Sequence, residues 1–382
     1  MDERRARLAR RHHLATASRA GDVLEVARDL VGLHATDPAS IYLSAAARMK
    51  KPTIAAVEAA LYDDRSLVRM LAMRRTLFIE PLELVPVVQA AASHAVAVRE
   101  RARLVKFLTD AGIARDAGPW LRKVEQAARR ALASLGDATA GQLADEVPEL
   151  SEKLVLSRGK KYEATVSISG RVLLLLAAEG RVVRGRPRGS WISTQYRWAT
   201  AENWLGGPID HVPADEARAE LVRCWLRAFG PGTVDDLKWW TGWSAREVRN
   251  ALVAVQPVEL DTGLVLADDV APVRTTRPWV ALLPALDATT MGWRERDWYL
   301  GSHGPLLFDR TGNAGPTVWC DGRVVGGWAQ RRDGEIVYRL LEDVGSEAQT
   351  ALDAAAEEVR WLVGDVRYTP RFPTPLEREL RG

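Results

Sequence analysis

The sequence lacks several features that would assign it to a common class of protein. It has only two cysteines in 382 residues, and Cys224 and Cys320 form no C-x-x-C pair or other metal-binding spacing. We therefore expect both to be buried thiols in a reducing compartment. The longest apolar run, Val172 to Ala178, is far too short to cross a bilayer. The N-terminal segment MDERRARLARRHH is strongly charged and has no apolar core, so it is not expected to be a secretory signal. These absences predict a cytoplasmic protein with no membrane partner.

Motifs for several kinds of catalysis are missing too. No G-x-S-x-G is present, which argues against a serine hydrolase. Gly159-Lys160 lacks the upstream glycine of a phosphate-binding loop. The adjacent pair His12-His13 cannot share one helix face, so we predict no metal site there and no cofactor.

The charge of the chain is small but unevenly distributed. The net charge is +3, whereas the stretch from Arg158 to Trp198 has nine basic residues and two acidic ones, a net +7 that leaves −4 for the rest. A basic stretch in a near-neutral protein points to a polyanionic partner. An arginine-rich composition that reflects codon bias alone is the alternative. The basic residues are Arg158, Lys160, Lys161, Arg171, Arg181, Arg184, Arg186, Arg188 and Arg197.

A short pattern occurs twice in the middle of the chain. One copy has Gly136 followed by Thr139, and the other has Gly230 followed by Thr233. In each copy the glycine ends one helix, and the threonine three residues later can cap the next. The capped helices are predicted over 140–146 and 234–240.

Each copy continues into a third helix and two β-prone runs. The third helices are predicted over 164–179 and 244–255, the second beginning with a capping box of Ser244 and Glu247. The β-prone runs turn at Gly185-Arg-Pro-Arg-Gly189 and at Asp261-Thr-Gly263. Three helices followed by a hairpin is the winged-helix pattern, a helix-turn-helix with a wing. Generic α+β packing is the alternative.

The two ends of the chain differ from this pattern. The N-terminal third fits a third copy less cleanly, with helices predicted over 22–33, 39–49, 53–62 and 82–107 and strands over 67–71 and 76–79. The C-terminal part predicts a buried strand at 280–285, a two-residue hairpin turn at Asp321-Gly322, a turn at Asp333-Gly334 and an amphipathic helix over 348–362.

The predicted fold class is therefore α+β and mainly α, with tandem winged-helix units and a small C-terminal β-domain with a closing helix. The predicted domains are an N-terminal winged-helix-like domain (1–115), a second winged helix with a basic hairpin (116–212), a third winged helix (213–275) and the β-domain (276–382).

Motifs along nearly the whole chain resemble those of one family. They are Leu282-Leu-Pro-Ala-Leu-Asp287, Gly292-Trp-Arg-Glu-Arg296, Gly322-Arg-Val-Val-Gly-Gly-Trp328, Val31-Gly-Leu-His-Ala-Thr-Asp-Pro38 and Met73-Arg-Arg-Thr-Leu77. They are similar to motifs of the winged-helix family that includes bacterial alkylpurine and interstrand-crosslink-repair DNA glycosylases. The resemblance implies tandem winged helices around a DNA channel. The expected partner is double-stranded DNA, damaged or not. We expect the protein to be a monomer associated with the nucleoid.

The sequence departs from this family at the catalytic position. Members have glutamine, a small apolar residue, then glutamine or aspartate, where this chain has His34, Ala35 and Thr36, followed by Asp37. Phe78 also stands where many relatives have histidine. A neutral imidazole can accept a proton from water near pH 7, so His34 could activate water with help from Thr36 and Asp37. Alternatively, His34 is structural and Asp37-Pro38 begins a helix.

The resemblance and the charge pattern together predict the DNA contacts. The predicted DNA-binding residues are Arg74, Arg75, Lys160, Lys161, Arg181, Arg184, Arg186, Arg188, Arg294 and Arg296. Arg294 and Arg296 could instead form ion pairs with Asp287 and Asp297. Trp239, Trp240 and Trp243 are predicted to pack in the core rather than to stack on bases.

Two functions remain open from sequence. One is a monofunctional DNA glycosylase that hydrolyses the N-glycosidic bond of alkylated or crosslinked purines. The other is a non-catalytic winged-helix protein that recognises damaged DNA or regulates transcription. The surroundings of His34 and Thr36 discriminate between them, because catalysis requires access to water.

Overall fold

The computed structural model describes residues 2–156, 159 and 163–382. Its helices are α1 (Asp2–Arg11), α2 (Val23–Asp29), α3 (Pro38–Ala46), α4 (Ile54–Glu58), α5 (Val85–Val88), α6 (His94–Asp110), α7 (Ala117–Leu135), α8 (Ala140–Glu146), α9 (Ile168–Ala178), α10 (Ala201–Leu205), α11 (Ala214–Phe229), α12 (Val234–Thr241), α13 (Ala245–Val255), α14 (Asp297–Leu300), α15 (Gly304–Leu307), α16 (Ser346–Val363) and α17 (Pro375–Arg381). In the part of the chain that is described, no helix is both long enough and apolar enough to cross a membrane.

The strands are short and form small sheets. They are β1 (Leu33–His34), β2 (Leu67–Leu71), β3 (Leu77–Pro81), β4 (Ala138–Thr139), β5 (Lys153–Leu156), β6 (Ala164–Ser167), β7 (Val182–Pro187), β8 (Tyr196–Thr200), β9 (Val258–Leu260), β10 (Gly263–Val265), β11 (Val280–Leu283), β12 (Thr317–Cys320), β13 (Arg323–Gln330) and β14 (Ile336–Leu340). The fold therefore mixes helices and strands, as the sequence predicts.

The chain divides into two compact units, each built from separate segments. The first comprises Met1–Leu67, Phe78–Pro81 and Arg218–Gly382, and the second comprises Val68–Leu77 and Leu82–Ala217. The four-domain division drawn from the sequence is finer than this and stays a prediction.

In the second unit, α7, α8 and α9 surround an apolar core. On α7 the buried residues Leu121, Val124, Ala128 and Leu132 recur every three or four positions, so one face of the helix is apolar. Thr139 caps α8 in a capping box with Gln142, which confirms the predicted cap. Strands β4, β8 and β7 form a three-stranded sheet in that order.

The first unit contains the second copy of the repeat. Thr233 caps α12 in a capping box with Asp236, and Ser244 caps α13 with Glu247, as predicted. Strands β9 and β10 pair antiparallel, and Gly263 pairs with Leu260 across the predicted turn.

The C-terminal part of the first unit forms an antiparallel sheet in the order β11-β12-β13-β14. Asp321 and Gly322 connect β12 to β13, and their φ angles of 46° and 80° are both positive, as a type I′ turn requires. The predicted two-residue hairpin is confirmed. Helix α16 packs against β11 and β14 and matches the predicted closing helix.

A buried ion pair fixes the end of α3 to the segment after β11. Arg48 and Asp287 are both 0% exposed, with Arg48 Nη2 2.7 Å from Asp287 Oδ1 and Nη1 2.9 Å from Oδ2. Ser44 donates to the same carboxylate at 2.6 Å. Burial by itself would raise the pKa of Asp287, but the charge of Arg48 and these hydrogen bonds hold it below its ordinary value.

Two predicted elements in the second unit differ from the structure. The helix predicted over 164–179 begins only at Ile168, because Ala164–Ser167 is a strand paired with β5 and Ser167 caps α9. The basic hairpin does not turn at 185–189. Strand β7 continues to Pro187, which pairs with Tyr196, so residues 188–195 form the connection.

The predicted N-terminal helices are also shortened or interrupted. The helix predicted over 22–33 ends at Asp29, because Val31 and Gly32 adopt positive φ angles before β1. The helix predicted over 82–107 contains a π-helical turn at Gln89–Ser93 between α5 and α6. The predicted strand at 67–71 is confirmed as β2.

We predict that removing one member of the buried ion pair strongly destabilises the fold. Asp287→Asn leaves the Arg48 guanidinium buried without a full counter-charge, which costs about 3–5 kcal/mol. The double variant Arg48→Met with Asp287→Leu is expected to recover most of this loss. Urea unfolding measures the change.

The control for this experiment is Arg360→Gln, which removes an exposed ion pair with Glu357. Such pairs contribute at most about 1 kcal/mol. An Asp287→Asn variant no less stable than Arg360→Gln would contradict the prediction.

Candidate functional site

His34 lies on the short strand pair formed by β1 and β3. It is directly opposite Phe78, and the centroids of the two rings are 5.0 Å apart. His34 is only 5% exposed. The histidine at the predicted catalytic position is therefore largely enclosed and packed on an aromatic ring.

A backbone contact constrains the protonation of the His34 ring. The backbone N–H of Thr36 donates to His34 Nδ1 at 3.4 Å. A backbone N–H can only donate, so Nδ1 acts as the acceptor and the proton of the neutral ring lies on Nε2. The distance is long, so this contact constrains the ring only weakly.

Asp37 is the N-cap of α3. Its Oδ1 accepts a hydrogen bond from the Ala39 N–H at 3.1 Å, and its Oδ2 accepts one from the Arg371 N–H at 2.9 Å. Pro38 occupies the first turn of the helix. Burial raises the pKa of Asp37, although the two N–H bonds act in the opposite direction. Both carboxylate oxygens have structural partners, as the alternative of a helix start at Asp37-Pro38 predicts.

Aromatic side chains extend from the His34 strand pair into the first unit. The ring centroids of Phe78 and Trp240 are 6.4 Å apart. The ring centroids of Trp240 and Phe229 are 6.2 Å apart. Trp240 and Trp243 are buried, which confirms their predicted place in the core. The half-buried Trp239 packs against the Arg296 guanidinium, 4.7 Å from its ring centroid.

Glu80 is a buried acid that the sequence analysis missed. It is 0% exposed on β3, and among the described residues neither carboxylate oxygen has a hydrogen-bond partner. Burial raises its pKa well above the ordinary value, because desolvation disfavours the charged carboxylate. A Cβ added to Gly32 would lie 2.5 Å from Glu80 Oε1, so this carboxyl requires a glycine there. A charged residue directly after the apolar run Leu77–Ile79 was the available signal.

The arginines of the predicted DNA-binding set have different surroundings. On the β7–β8 hairpin, Arg181 and Arg188 are exposed, Arg186 is half-buried and Arg184 is 9% exposed. Lys160 and Lys161 lie outside the described residues. The predicted surface role therefore fits Arg181 and Arg188 but not Arg184, whose guanidinium packs on Trp198.

Arg74 and Arg75 form the turn that precedes β3. Both have positive φ angles, 52° and 63°, in a conformation that non-glycine residues rarely adopt. Arg75 Nε lies 2.7 Å from Glu100 Oε1, while the Arg75 side chain remains 44% exposed. The turn therefore presents a partly neutralised positive charge.

Neither Arg294 nor Arg296 forms the ion pair with Asp287 that the sequence left open. Asp287 pairs with Arg48, and Arg294 Nη1 lies 3.5 Å from Asp235 Oδ2. Arg296 is held between Trp239 and Phe308, and its Nε donates to the Trp293 carbonyl at 3.0 Å. Arg294 remains exposed, whereas Arg296 is engaged in packing.

The metal and cysteine predictions concern other parts of the first unit. His13 Nε2 lies 2.8 Å from Asp29 Oδ2, and together with Glu25 they form a compact group of possible ligands. His13 Nδ1 already contacts the Ser18 carbonyl, so both ring nitrogens are hydrogen-bonded.

Both cysteines are free thiols. Cys320 is buried as predicted, but Cys224 is half-buried.

A cavity of about 740 Å³ lies elsewhere in the first unit, between α3 and α16. Its lining includes Leu43, Ala354 and the exposed Trp361 but none of the predicted site residues.

Comparison with known proteins identifies the family. The family model for AlkZ-like DNA glycosylases matches residues 27–361, and the chain belongs to this family. The fold is similar to that of the Streptomyces sahachiroi DNA glycosylase AlkZ, with a TM-score of 0.72 and 21% identity over 97% of this chain and 98% of that one. A sequence search of curated proteins found no match. The resemblance inferred from the motifs is confirmed at the level of the family.

We predict that Asp37 stabilises the fold through its capping bonds. Asp37→Ala should lower the free energy of unfolding by about 1 kcal/mol, because the Ala39 N–H loses its partner. Asp37→Asn should remain close to wild type, since asparagine caps helices equally well. Thermal unfolding compares the three proteins. Equal losses in both variants would show that the negative charge, rather than the cap, is what matters.

Proposed function

We propose that the chain is a monofunctional DNA glycosylase that hydrolyses the N-glycosidic bond of alkylated or crosslinked purines in double-stranded DNA. The family match over residues 27–361 carries this proposal, because it includes both the His34 strand and the C-terminal motifs. Alkylation at N7 or N3 places positive charge on the purine and makes it a better leaving group. The protein then has to orient one water and stabilise positive charge on the sugar.

We also propose that residues 116–212 and 213–275 are winged helices. In the first segment α7, α8 and α9 precede the β7–β8 hairpin, and in the second α11, α12 and α13 precede the β9–β10 hairpin. This order matches a helix-turn-helix followed by a wing. The exposed Arg181 and Arg188 place positive charge on the first of these hairpins. A monomer binding duplex DNA through such units is the simplest arrangement.

His34 is the proposed water-positioning residue. With Nδ1 accepting from the Thr36 N–H, Nε2 is the donor nitrogen of the neutral ring. To act as a base, Nε2 must instead hold a lone pair, which requires the weak Thr36 contact to break. Breaking a neutral hydrogen bond costs about 0.5–1.5 kcal/mol. This cost is smaller than the reduction of the activation barrier that a general-base contribution of about 10²–10⁴-fold in rate represents. The polar neighbour at Thr36 is suited to hold the same water.

A non-catalytic DNA-binding protein is the second candidate. The observation that favours it is the enclosure of the site. His34 is 5% exposed, and both oxygens of Asp37 are engaged in capping. In this case the chain would recognise damaged DNA or regulate transcription without excising a base.

We predict that His34→Ala lowers the rate of excision by about 10²–10⁴-fold and leaves DNA binding nearly unchanged. If Nε2 takes a proton from water, the wild-type rate should rise with pH as the ring loses its second proton. Single-turnover release of 7-methylguanine from duplex DNA between pH 5 and 8 measures both effects.

The outcomes separate the two candidates. Equal rates for wild type and His34→Ala would remove His34 from the mechanism. A loss in His34→Ala with a flat wild-type pH profile would assign His34 a donor role through Nε2–H. If wild type releases no base from any alkylated or crosslinked duplex, the non-catalytic function is favoured.

We predict that the exposed hairpin arginines contribute to DNA affinity through phosphate contacts. Replacing Arg181 and Arg188 together with alanine should weaken binding to all sequences alike and reduce the salt slope by up to about two. Fluorescence anisotropy at a series of salt concentrations gives the slope. An unchanged slope would exclude both residues from the DNA contact.

A further inference from the structure

The segment between α16 and α17 carries an arginine beside the His34 strand. The backbone N–H of Arg371 donates to Asp37 Oδ2 at 2.9 Å, and its side-chain Nη1 donates to the Thr36 carbonyl at 3.4 Å. Both acceptors lie within three residues of His34 in the sequence. A guanidinium from the C-terminal segment is therefore placed next to the proposed catalytic position.

The backbone that carries this arginine is held at several points. Gln330, at the end of β13, donates from Nε2 to the Val366 carbonyl at 3.1 Å and accepts a bond from the Tyr368 N–H at 3.0 Å. The Arg371 N–H is bonded to Asp37, which caps α3. None of these bonds uses the Arg371 side chain, so a substitution there leaves the support of the segment intact.

The Arg371 side chain itself is exposed to solvent. Its guanidinium carbon lies 5.8 Å from the centroid of the Phe372 ring. The bond to the Thr36 carbonyl is long and therefore weak, and it occupies one of the five N–H groups of a guanidinium. Among the described residues, no carboxylate forms an ion pair with this group. An anion that arrives from solvent can therefore reach its other N–H groups.

The surroundings of Arg371 indicate which anion this is. Exposure increases from His34, at 5%, through the half-buried Thr36 to the exposed Arg371, so the arginine lies on the solvent side of the site. An alkylated purine is cationic, and the sugar gains positive charge as the glycosidic bond breaks, so a guanidinium repels both. The phosphates are the anionic groups of DNA, and their oxygens match the planar donor edge of a guanidinium.

We propose that Arg371 binds a backbone phosphate next to the nucleotide whose base is excised, an inference that rests on the proposed glycosylase function. The contact anchors the nucleotide by its phosphate at the solvent side of the site. Because Arg371 touches the phosphate rather than the reacting atoms, it is a substrate-binding residue, and its loss should weaken binding to DNA.

A structural role for Arg371 is the alternative. Burial raises the pKa of Asp37, and the charge of Arg371 opposes this rise, although less than the backbone bonds to Asp37 do. In this alternative the guanidinium only helps to keep the helix cap ionised. Arg371→Ala then changes the stability of the protein but not its response to the charge of any phosphate.

The first test measures binding to a labelled duplex that contains one 2′-fluoro-7-methylguanosine, whose fluorine slows cleavage. Arg371→Ala should weaken binding on the order of tenfold and lower the salt slope by about 0.9, because one charge-assisted phosphate contact is lost. Arg371→Lys keeps the charge and should retain most of the slope. The matched control is Arg378→Ala, which removes an exposed arginine of α17 and should leave affinity and slope unchanged.

The second test locates the phosphate. Single methylphosphonate linkages, which are uncharged, replace the phosphates on either side of the modified nucleotide one at a time. At the contacted position the wild type and Arg378→Ala should lose affinity, whereas Arg371→Ala should lose no more, because two changes that remove the same contact are not additive. Additive losses at every position, or unchanged affinity and slope in Arg371→Ala, overturn the proposal. If Arg371→Ala does not fold, Arg371→Gln decides by the same criteria.

Single-turnover release of 7-methylguanine by the wild type separates this site from the proposed function. Release of the base together with additive losses at every position retains the glycosylase and refutes the phosphate contact. Non-additive losses at one position without release of any base retain the phosphate contact and refute excision. A wild-type protein that does not bind the duplex refutes both.

Discussion

The Arg48–Asp287 ion pair is the constraint on which the candidate site depends. Arg48 follows α3 and donates to the His12 and Ser44 carbonyls as well as to Asp287, so one guanidinium holds three separate segments. Asp37 caps the opposite end of the same helix. Because α3 is fixed at both ends, the position of the preceding His34 strand is fixed too. The neighbouring His12, whose pKa burial lowers to about 3, stays neutral and adds no competing charge.

Arginine serves two physical purposes in this chain. Some guanidiniums are exposed, and others are stacked on aromatic rings inside the fold. Arg4 lies 4.3 Å from the Trp298 centroid, and Arg296 lies between Trp239 and Phe308. A guanidinium is weakly hydrated and planar, so it can be buried against an aromatic ring at lower cost than an ammonium group. A count of basic residues therefore overstates the charge available at the surface.

The chain belongs to the AlkZ-like family, and the proposed catalytic position differs from the motif of that family. A glutamine can only hydrogen-bond to water, whereas a histidine can also accept a proton. The His34 ring is limited by its burial and by the Thr36 N–H on Nδ1. Glu80, on the adjacent strand β3, is a second buried titratable group, and burial raises its pKa well above the ordinary value. The groups at the proposed site, His34, Asp37 and Glu80, are therefore buried rather than exposed charges.

Local signals in the sequence determined much of the fold. Thr139, Thr233 and Ser244 cap the predicted helices, and Asp321-Gly322 forms the predicted hairpin turn, because caps and tight turns depend on residues only a few positions apart. The motifs also identified the family. The tertiary structure alone decided that β7 continues past Gly185, that Arg184 is buried and that Asp287 pairs with Arg48. Each of these depends on partners distant in sequence, such as Tyr196 opposite Pro187 and Arg48 opposite Asp287. Whether a charged side chain is exposed or buried is set by such long-range packing, which local patterns do not encode.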